Sequence, residues 1–177
     1  MAYTLQQLSD FEDIRTLKHR YFRAIDTADK PLLETLFTDD VAVDYRGGRY
    51  RVTLSGKADM IDFLLNSFHS GLVPIHHGHG PEIELVGEDA AKGTWYLEDV
   101  VIGLERKTSG YGSALYYDEY RREGGSWKIA RTEYDRLVEV VRPLADERVT
   151  AHYLGTASRQ PDERGDISQL IHWHEVP

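Results

Sequence analysis

Apolar residues Phe11, Ile14, Leu17, Tyr21 and Ile25 recur at three- and four-residue steps, the spacing of one helix face. Ser9-Asp10-Phe11-Glu12 in front of them reads as a capping box, and the helix is expected to end near Thr27. Asp29 is placed to cap a second, short helix that carries Pro31 in its first turn and buries Leu32, Leu33, Leu36 and Phe37. So short a link makes a helical hairpin. The period then falls to two. Val41, Val43 and Tyr45 alternate with Ala42 and Asp44, and Arg46-Gly47-Gly48 turns the chain back through Tyr50, Val52 and Leu54. Ser55 is expected to cap a third helix with Met60, Ile61, Leu64, Leu65 and Phe68 on its buried side. Strands are expected over 75–86, 92–101, 113–122 and 126–135, with turns at Glu88-Asp89 and Gly124-Gly125. Residues 136–177, with Pro143, Gly155, Pro161, Gly165 and a polar run at 156–168, read as a tail holding at most short helices.

Helices followed by a run of strands predict an α+β fold: a cone-shaped, curved antiparallel sheet packed on three N-terminal helices, with a pocket between them. The expected division is one domain over 1–135 and a C-terminal tail over 136–177, covering part of the domain or an oligomer interface. The open face of such a sheet needs covering, so a homodimer or homotrimer is expected. With 177 residues, 41% hydrophobic and 29% charged, the chain is an ordinary globular domain that folds without staples. It has no cysteine, which removes disulfides, thiolate nucleophiles and Cys-type metal sites. Thirty acidic against 21 basic residues give a net charge of -9, and no basic stripe alternates with aromatics, so nucleic acid is not an expected partner. No basic segment precedes an apolar run at the N-terminus and no stretch of 18 apolar residues occurs, so a cytoplasmic protein without a membrane span is expected.

Strand parity supplies candidate chemistry. Trp95, Leu97, Asp99 and Val101 share one face of their strand, which puts a carboxylate in apolar company. A turn at Glu88-Asp89 sets His76 opposite Val101 and diagonal to Asp99, within side-chain reach. A His–Asp pair in an apolar pocket makes a base, because the carboxylate fixes the tautomer and stabilises the imidazolium. The alternative is a buried acid satisfied by backbone or tyrosine, with a surface histidine nearby. The hairpin at Gly124-Gly125 sets Ile129 opposite Tyr120 and Arg131 opposite Asp118, with Trp127, Ile129 and Arg131 on one side. Arg131 there either polarises a substrate oxygen or ion-pairs two strands. His77 and His79 share a face, and His172-Trp173-His174-Glu175 ends the tail. Two histidines fall short of a metal site, so no metal is expected.

The segment from Phe11 to about Tyr134 resembles the SnoaL-like branch of the nuclear-transport-factor-2-like superfamily. That branch includes polyketide cyclases, scytalone dehydratase, bile-acid 7α-dehydratase and hexachlorocyclohexane dehydrochlorinase. The resemblance rests on Tyr21-Phe22-Arg23-Ala24-Ile25-Asp26, on Leu36-Phe37-Thr38-Asp39-Asp40-Val41 and on Ile75-His76-His77-Gly78-His79-Gly80-Pro81-Glu82-Ile83. The run Tyr120-Arg121-Arg122-Glu123-Gly124-Gly125-Ser126-Trp127-Lys128-Ile129 is also typical. It implies His76 as catalytic base, Asp26 as its partner, and Tyr21, Asp99 and Arg131 as further site residues. Tyr21 and Asp26 lie about 140° apart on an ideal helix, so both face a pocket only if Asp26 sits at the frayed end. The implied activity is that of a cofactor-independent, dehydratase-like lyase or isomerase. It removes a proton next to a carbonyl or leaving group in a pocket walled by Trp95, Leu97, Val101, Tyr120 and Ile129. Its ligand is a small hydrophobic molecule, aromatic or polycyclic. The same fold also serves as a non-catalytic binding or oligomerisation module, and fold alone does not choose.

Overall fold

The first helix, α1 (Leu5–Asp26), starts four residues earlier than the expected cap: Thr4 and Gln7, not Ser9 and Glu12, form the capping box. It ends on Thr27 as the periodicity predicts. Asp29 caps α2 (Lys30–Leu36) by accepting from the Leu32 amide, with Pro31 in the first turn, and Leu33 and Leu36 buried. Phe37 opens β1 (Phe37–Arg46), which turns at Gly47-Gly48 into β2 (Tyr50–Ser55). The third helix, α3 (Lys57–Ser67), has Gly56 at its N-cap without a side-chain bond, so Ser55 does not cap it. The long strands β3 (Leu72–Leu85), β4 (Ala90–Gly103), β5 (Thr108–Glu123) and β6 (Ser126–Pro143) follow as a meander. The computed structural model describes residues 2–151, 158–159 and 162–174. Gly155, Glu175 and, of the polar run at 156–168, residues 156, 157, 160 and 161 lie outside the described residues.

These strands form one unclosed sheet in the order β3-β4-β5-β6-β1-β2-β7. The expectation of a purely antiparallel sheet is corrected: β1 runs parallel to β6, so the sheet is mixed. The two α-helices between the N-terminus and β1 bring the chain back to the sheet from its helical side, which frees β1 from hairpin geometry. Strand β6 also runs eight residues past Asp135, and the tail returns as a short strand β7 (Ile171–Trp173) on the edge of β2 rather than as helix alone. The unpaired edge of β2 is thereby covered.

The helices lie against one face of the sheet, α1 on β3 and α3 on β1 and β2. Ile14, Leu33, Phe37, Val41, Met60, Trp95 and Ile129 are fully enclosed between the layers.

Two irregularities set which side chains point inward. In the β3–β4 hairpin Leu85 meets Ala91, one residue off the expected register, and a further shift between His79 and Glu82 puts His76 directly opposite Asp99, not Val101. In the β5–β6 hairpin, Gly124 and Gly125 turn with positive φ of 58° and 80°, as an I′ turn needs. Ile129 faces Tyr120 as expected, but the register then slips by one residue, so Arg131 faces Glu119 and Asp118 faces Thr132. A bulge of this kind reverses strand parity beyond it.

Candidate active site

Parity puts His76 on the inner side of β3, between exposed Ile75 and His77. Its Nδ1–H donates to Asp26 Oδ1 at 2.7 Å, and its backbone N–H donates to the other carboxylate oxygen at 2.9 Å. Asp26 is the last residue of α1, and its carboxylate reaches across to the His76 rung of β3. Phe22 lies nearly parallel to the imidazole at 6.0 Å between ring centres, and Phe68 meets it edge-on at 5.3 Å. Phe22 fits there because residue 78 has no side chain: a Cβ on Gly78 would stand 2.4 Å from its ring. With Nδ1 committed to the carboxylate, the lone pair sits on Nε2, the arrangement of a base held in one tautomer.

His76 borders a cavity of about 800 Å³ between sheet and helices, which also receives Tyr21, Asp99 and Arg136. Asp99 stands opposite His76 on β4 but bonds Arg136, whose Nη1 donates to its Oδ1 at 2.6 Å. The pair crosses β5 over Gly112, where a Cβ would come within 2.5 Å of the guanidinium and 2.7 Å of the carboxylate. Burial presses Arg136 toward neutrality, but Asp99 more than reverses this and holds it firmly charged. Tyr21 and Tyr45 share a hydrogen bond of 2.7 Å, Tyr45 stacks on Tyr134 at 4.6 Å, and the Tyr134 and Tyr50 hydroxyls bond each other. Burial pushes the phenols of Tyr21, Tyr116 and Tyr134 well above their ordinary range, so they are neutral hydroxyls at physiological pH. Together they offer a negative oxygen donors without proton loss.

Of the expected site residues, His76, Tyr21, Asp99, Leu97 and Val101 line this cavity, and Asp26 stands behind His76, bonded to its Nδ1. Arg131 does not. The bulge beyond Ile129 turns it to the outer face, where it is half exposed and paired with Glu133. Trp95, Tyr120 and Ile129 are buried and point inward but do not line the cavity. Trp95 meets His19 of α1 and donates to Tyr120, whose hydroxyl donates to Asp118, so this part of the inner face is filled by the helix. Sequence reasoning missed two charged residues. Arg136 points inward where uninterrupted parity from Ile129 would have turned it outward, and its only signal would have been the bulge. Lys18 is wholly buried in α1, 2.7 Å from Asp118 and 3.6 Å over the Tyr116 ring. Burial lowers its pKa, against the opposing pull of Asp118.

On the outer face His79 contacts Glu98 at 3.2 Å and lies 6.1 Å from the His77 ring. Among the described residues no three His, Cys, Asp or Glu side chains are grouped to hold a metal ion, and no helix is long and apolar enough to cross a membrane.

The fold has many solved relatives. A type 2 hexachlorocyclohexane dehydrochlorinase superposes with a TM-score of 0.71 at 22% identity, covering 83% of this chain and 97% of that one. The type 3 enzyme from Novosphingobium barchaimii gives 0.69 at 22% identity, covering 84% and 99%. A protein of Novosphingobium aromaticivorans assigned as a scytalone dehydratase gives 0.68 at 19% identity, covering 91% and 98%. At these identities the likeness speaks for the fold alone. The family follows from the sequence itself: residues 6–133, from the second residue of α1 to the middle of β6, match the SnoaL-like domain model, and the chain belongs to that family.

Proposed function

We propose that the protein is a cofactor-independent lyase or isomerase of the dehydratase type, with His76 as general base. The observation that carries this reading is the His76–Asp26 pair at the cavity wall, with Nδ1 bound to the carboxylate at 2.7 Å and Nε2 left over. His76 Nε2 takes a proton from carbon next to a carbonyl. The C–H electron pair moves into the carbonyl as an oxyanion, and Asp26 stabilises the imidazolium. Arg136 and Tyr21, both lining the cavity, are the donors for that oxygen. Collapse of the oxyanion expels hydroxide or halide from the adjacent carbon, hydroxide leaving as water with the proton His76 holds. Reprotonation at another carbon gives the isomerase outcome. The tyrosine-rich wall suits a flat, hydrophobic substrate.

The test uses a panel of β-hydroxy and β-halo carbonyl compounds with aromatic or polycyclic bodies in deuterium oxide, followed by NMR. The wild type is expected to eliminate, or to exchange deuterium at the carbon next to the carbonyl. His76→Ala is expected to lose on the order of 10²–10⁴-fold in that rate. Full turnover by His76→Ala would sink the mechanism and leave the fold's other use, a non-catalytic ligand-binding module.

A further inference from the structure

The cavity opens between two turns that lie at the same end of the sheet. Arg49 is in the β1–β2 turn and Arg106 in the β4–β5 turn, and both border the cavity. Their common end follows from the register. Tyr45 pairs in parallel with Tyr134, so the β1–β2 tip points the way β6 runs, and β6 ends with Pro143 against Thr108, just past Arg106.

Neither guanidinium group has a hydrogen bond or ion pair among the described residues, and the acids beside them are engaged elsewhere. In the β1–β2 hairpin, Arg46 and Arg51 share Asp44, and Arg46 also holds Glu133 and Asp135. Glu105, next to Arg106, is bound by Arg164 at 2.9 Å. Inside the cavity Asp99 neutralises Arg136, which leaves Glu139 as the one remaining acid among the described lining residues, against two free guanidinium groups. This positive rim belongs to a chain whose net charge is -9, so it is a local feature. Beside it Trp173 meets Tyr50 edge-on at 5.7 Å, a planar wall leading inward.

We infer that the rim is an anion seat. Building on the proposed reaction, the substrate class is a flat apolar molecule that carries a carboxylate or phosphate at the end remote from the reacting carbon. Gly103, the end of β4, is four residues beyond Asp99, which puts the Arg106 side of the seat at least about 13 Å along the strand from the His76 rung. Guanidinium groups recognise either anion through paired N–H donors.

Binding tests this without a substrate. Anilinonaphthalene sulfonate and its neutral parent anilinonaphthalene share one body and differ by the anion, and each Kd is read from fluorescence at low salt. The wild type is expected to bind the sulfonate about tenfold tighter, the gap narrowing as salt rises. Arg49→Gln/Arg106→Gln is expected to close the gap by weakening the anionic probe alone. Arg20→Gln/Arg148→Gln makes the same charge change away from the cavity and is expected to keep the gap. Displacement by naphthoate, by naphthyl phosphate and by neutral naphthol then tells carboxylate from phosphate. His76→Ala removes an uncharged part of the cavity wall, so it is expected to shift both probes alike and keep the gap between them, and the anion seat and the base stand or fall separately. The inference is overturned by equal binding of the two probes, by a gap that survives in the Arg49/Arg106 variant, by a gap that closes equally in the control variant, or by naphthol displacing as well as both anions.

Discussion

His76 has two carboxylates near it, and they do different things. Asp26 clamps the imidazole through Nδ1 and the backbone amide, whereas Asp99 is spent on Arg136. Asp26→Asn is therefore expected to cost about 10²–10⁴-fold in rate, as loss of a fixed tautomer and a stabilised imidazolium does, with little change in Tm. Asp99→Asn acts chiefly on stability. The Arg136 side chain is 9% exposed, and leaving its charge without a counter-ion is expected to cost about 3 kcal/mol, read as a lower urea midpoint. The pH dependence has one sign. A base that works through the free lone pair of Nε2 is lost in acid, so kcat/KM is expected to fall as pH is lowered, and a rate that rises into acid would contradict the base. The meeting of His76 with Asp26 and the place of Tyr21 at the cavity were legible in the motifs at residues 21–26 and 75–83. The partner of Asp99 was not, because the one-residue slip in the β5–β6 register decides that Arg136 faces the cavity.

Among the elements, α1 is fastened by buried charge. Asp10 accepts from Arg122 at 2.6 Å, Gln6 at 3.0 Å and Trp127 at 3.2 Å, tying the start of α1 to β5 and β6. Burial alone would raise its pKa, but the bonds from Trp127, Gln6 and Arg122 outweigh this and hold it below the usual range. A depressed carboxylate stabilises above its unfolded pKa of about 3.9 and loses that contribution as pH falls through the folded value. Between pH 5 and 3 the urea midpoint of the wild type is expected to fall more than that of Asp10→Asn. Further along α1, Lys18→Met would strand Asp118 with its side chain wholly buried, at a cost of about 3–5 kcal/mol. Lys18→Met/Asp118→Leu is expected to recover most of that Tm, since both desolvated charges are then gone. The helices, their order and the meander could be read from period alone. Lys18 could not, because its neighbours on the face include Tyr21 and Phe22, and a lysine within an amphipathic pattern ordinarily marks the solvent side.

For the whole molecule, the question is what meets the outer face of the sheet. Ile75, Tyr96, Tyr111, Tyr117, Val138 and Val140 are exposed there, on β3 to β6. Apolar side chains repeated across neighbouring strands form a surface that water covers poorly, and a second copy of the chain is the expected cover. Sedimentation at micromolar concentration is expected to give a dimer or trimer, and Tyr96→Glu/Val140→Glu to give monomers with an unchanged circular dichroism spectrum. The architecture followed from helices preceding strands, but the parallel β1–β6 pairing did not, since it depends on where α1 and α2 return the chain.

The slipped register after Ile129 has a consequence for how relatives of this chain are compared. A strand hands down its side chains in alternation, and one extra residue exchanges the two sets without any change of residue type. Arg131 and Arg136 stand in one strand of one sequence, yet the slip gives the solvent the first and the cavity the second. Column-by-column matching across such a strand equates residues that look in opposite directions wherever the slip has drifted. Two proteins of this fold can thus exchange a chemical group at the cavity by moving a kink along the strand.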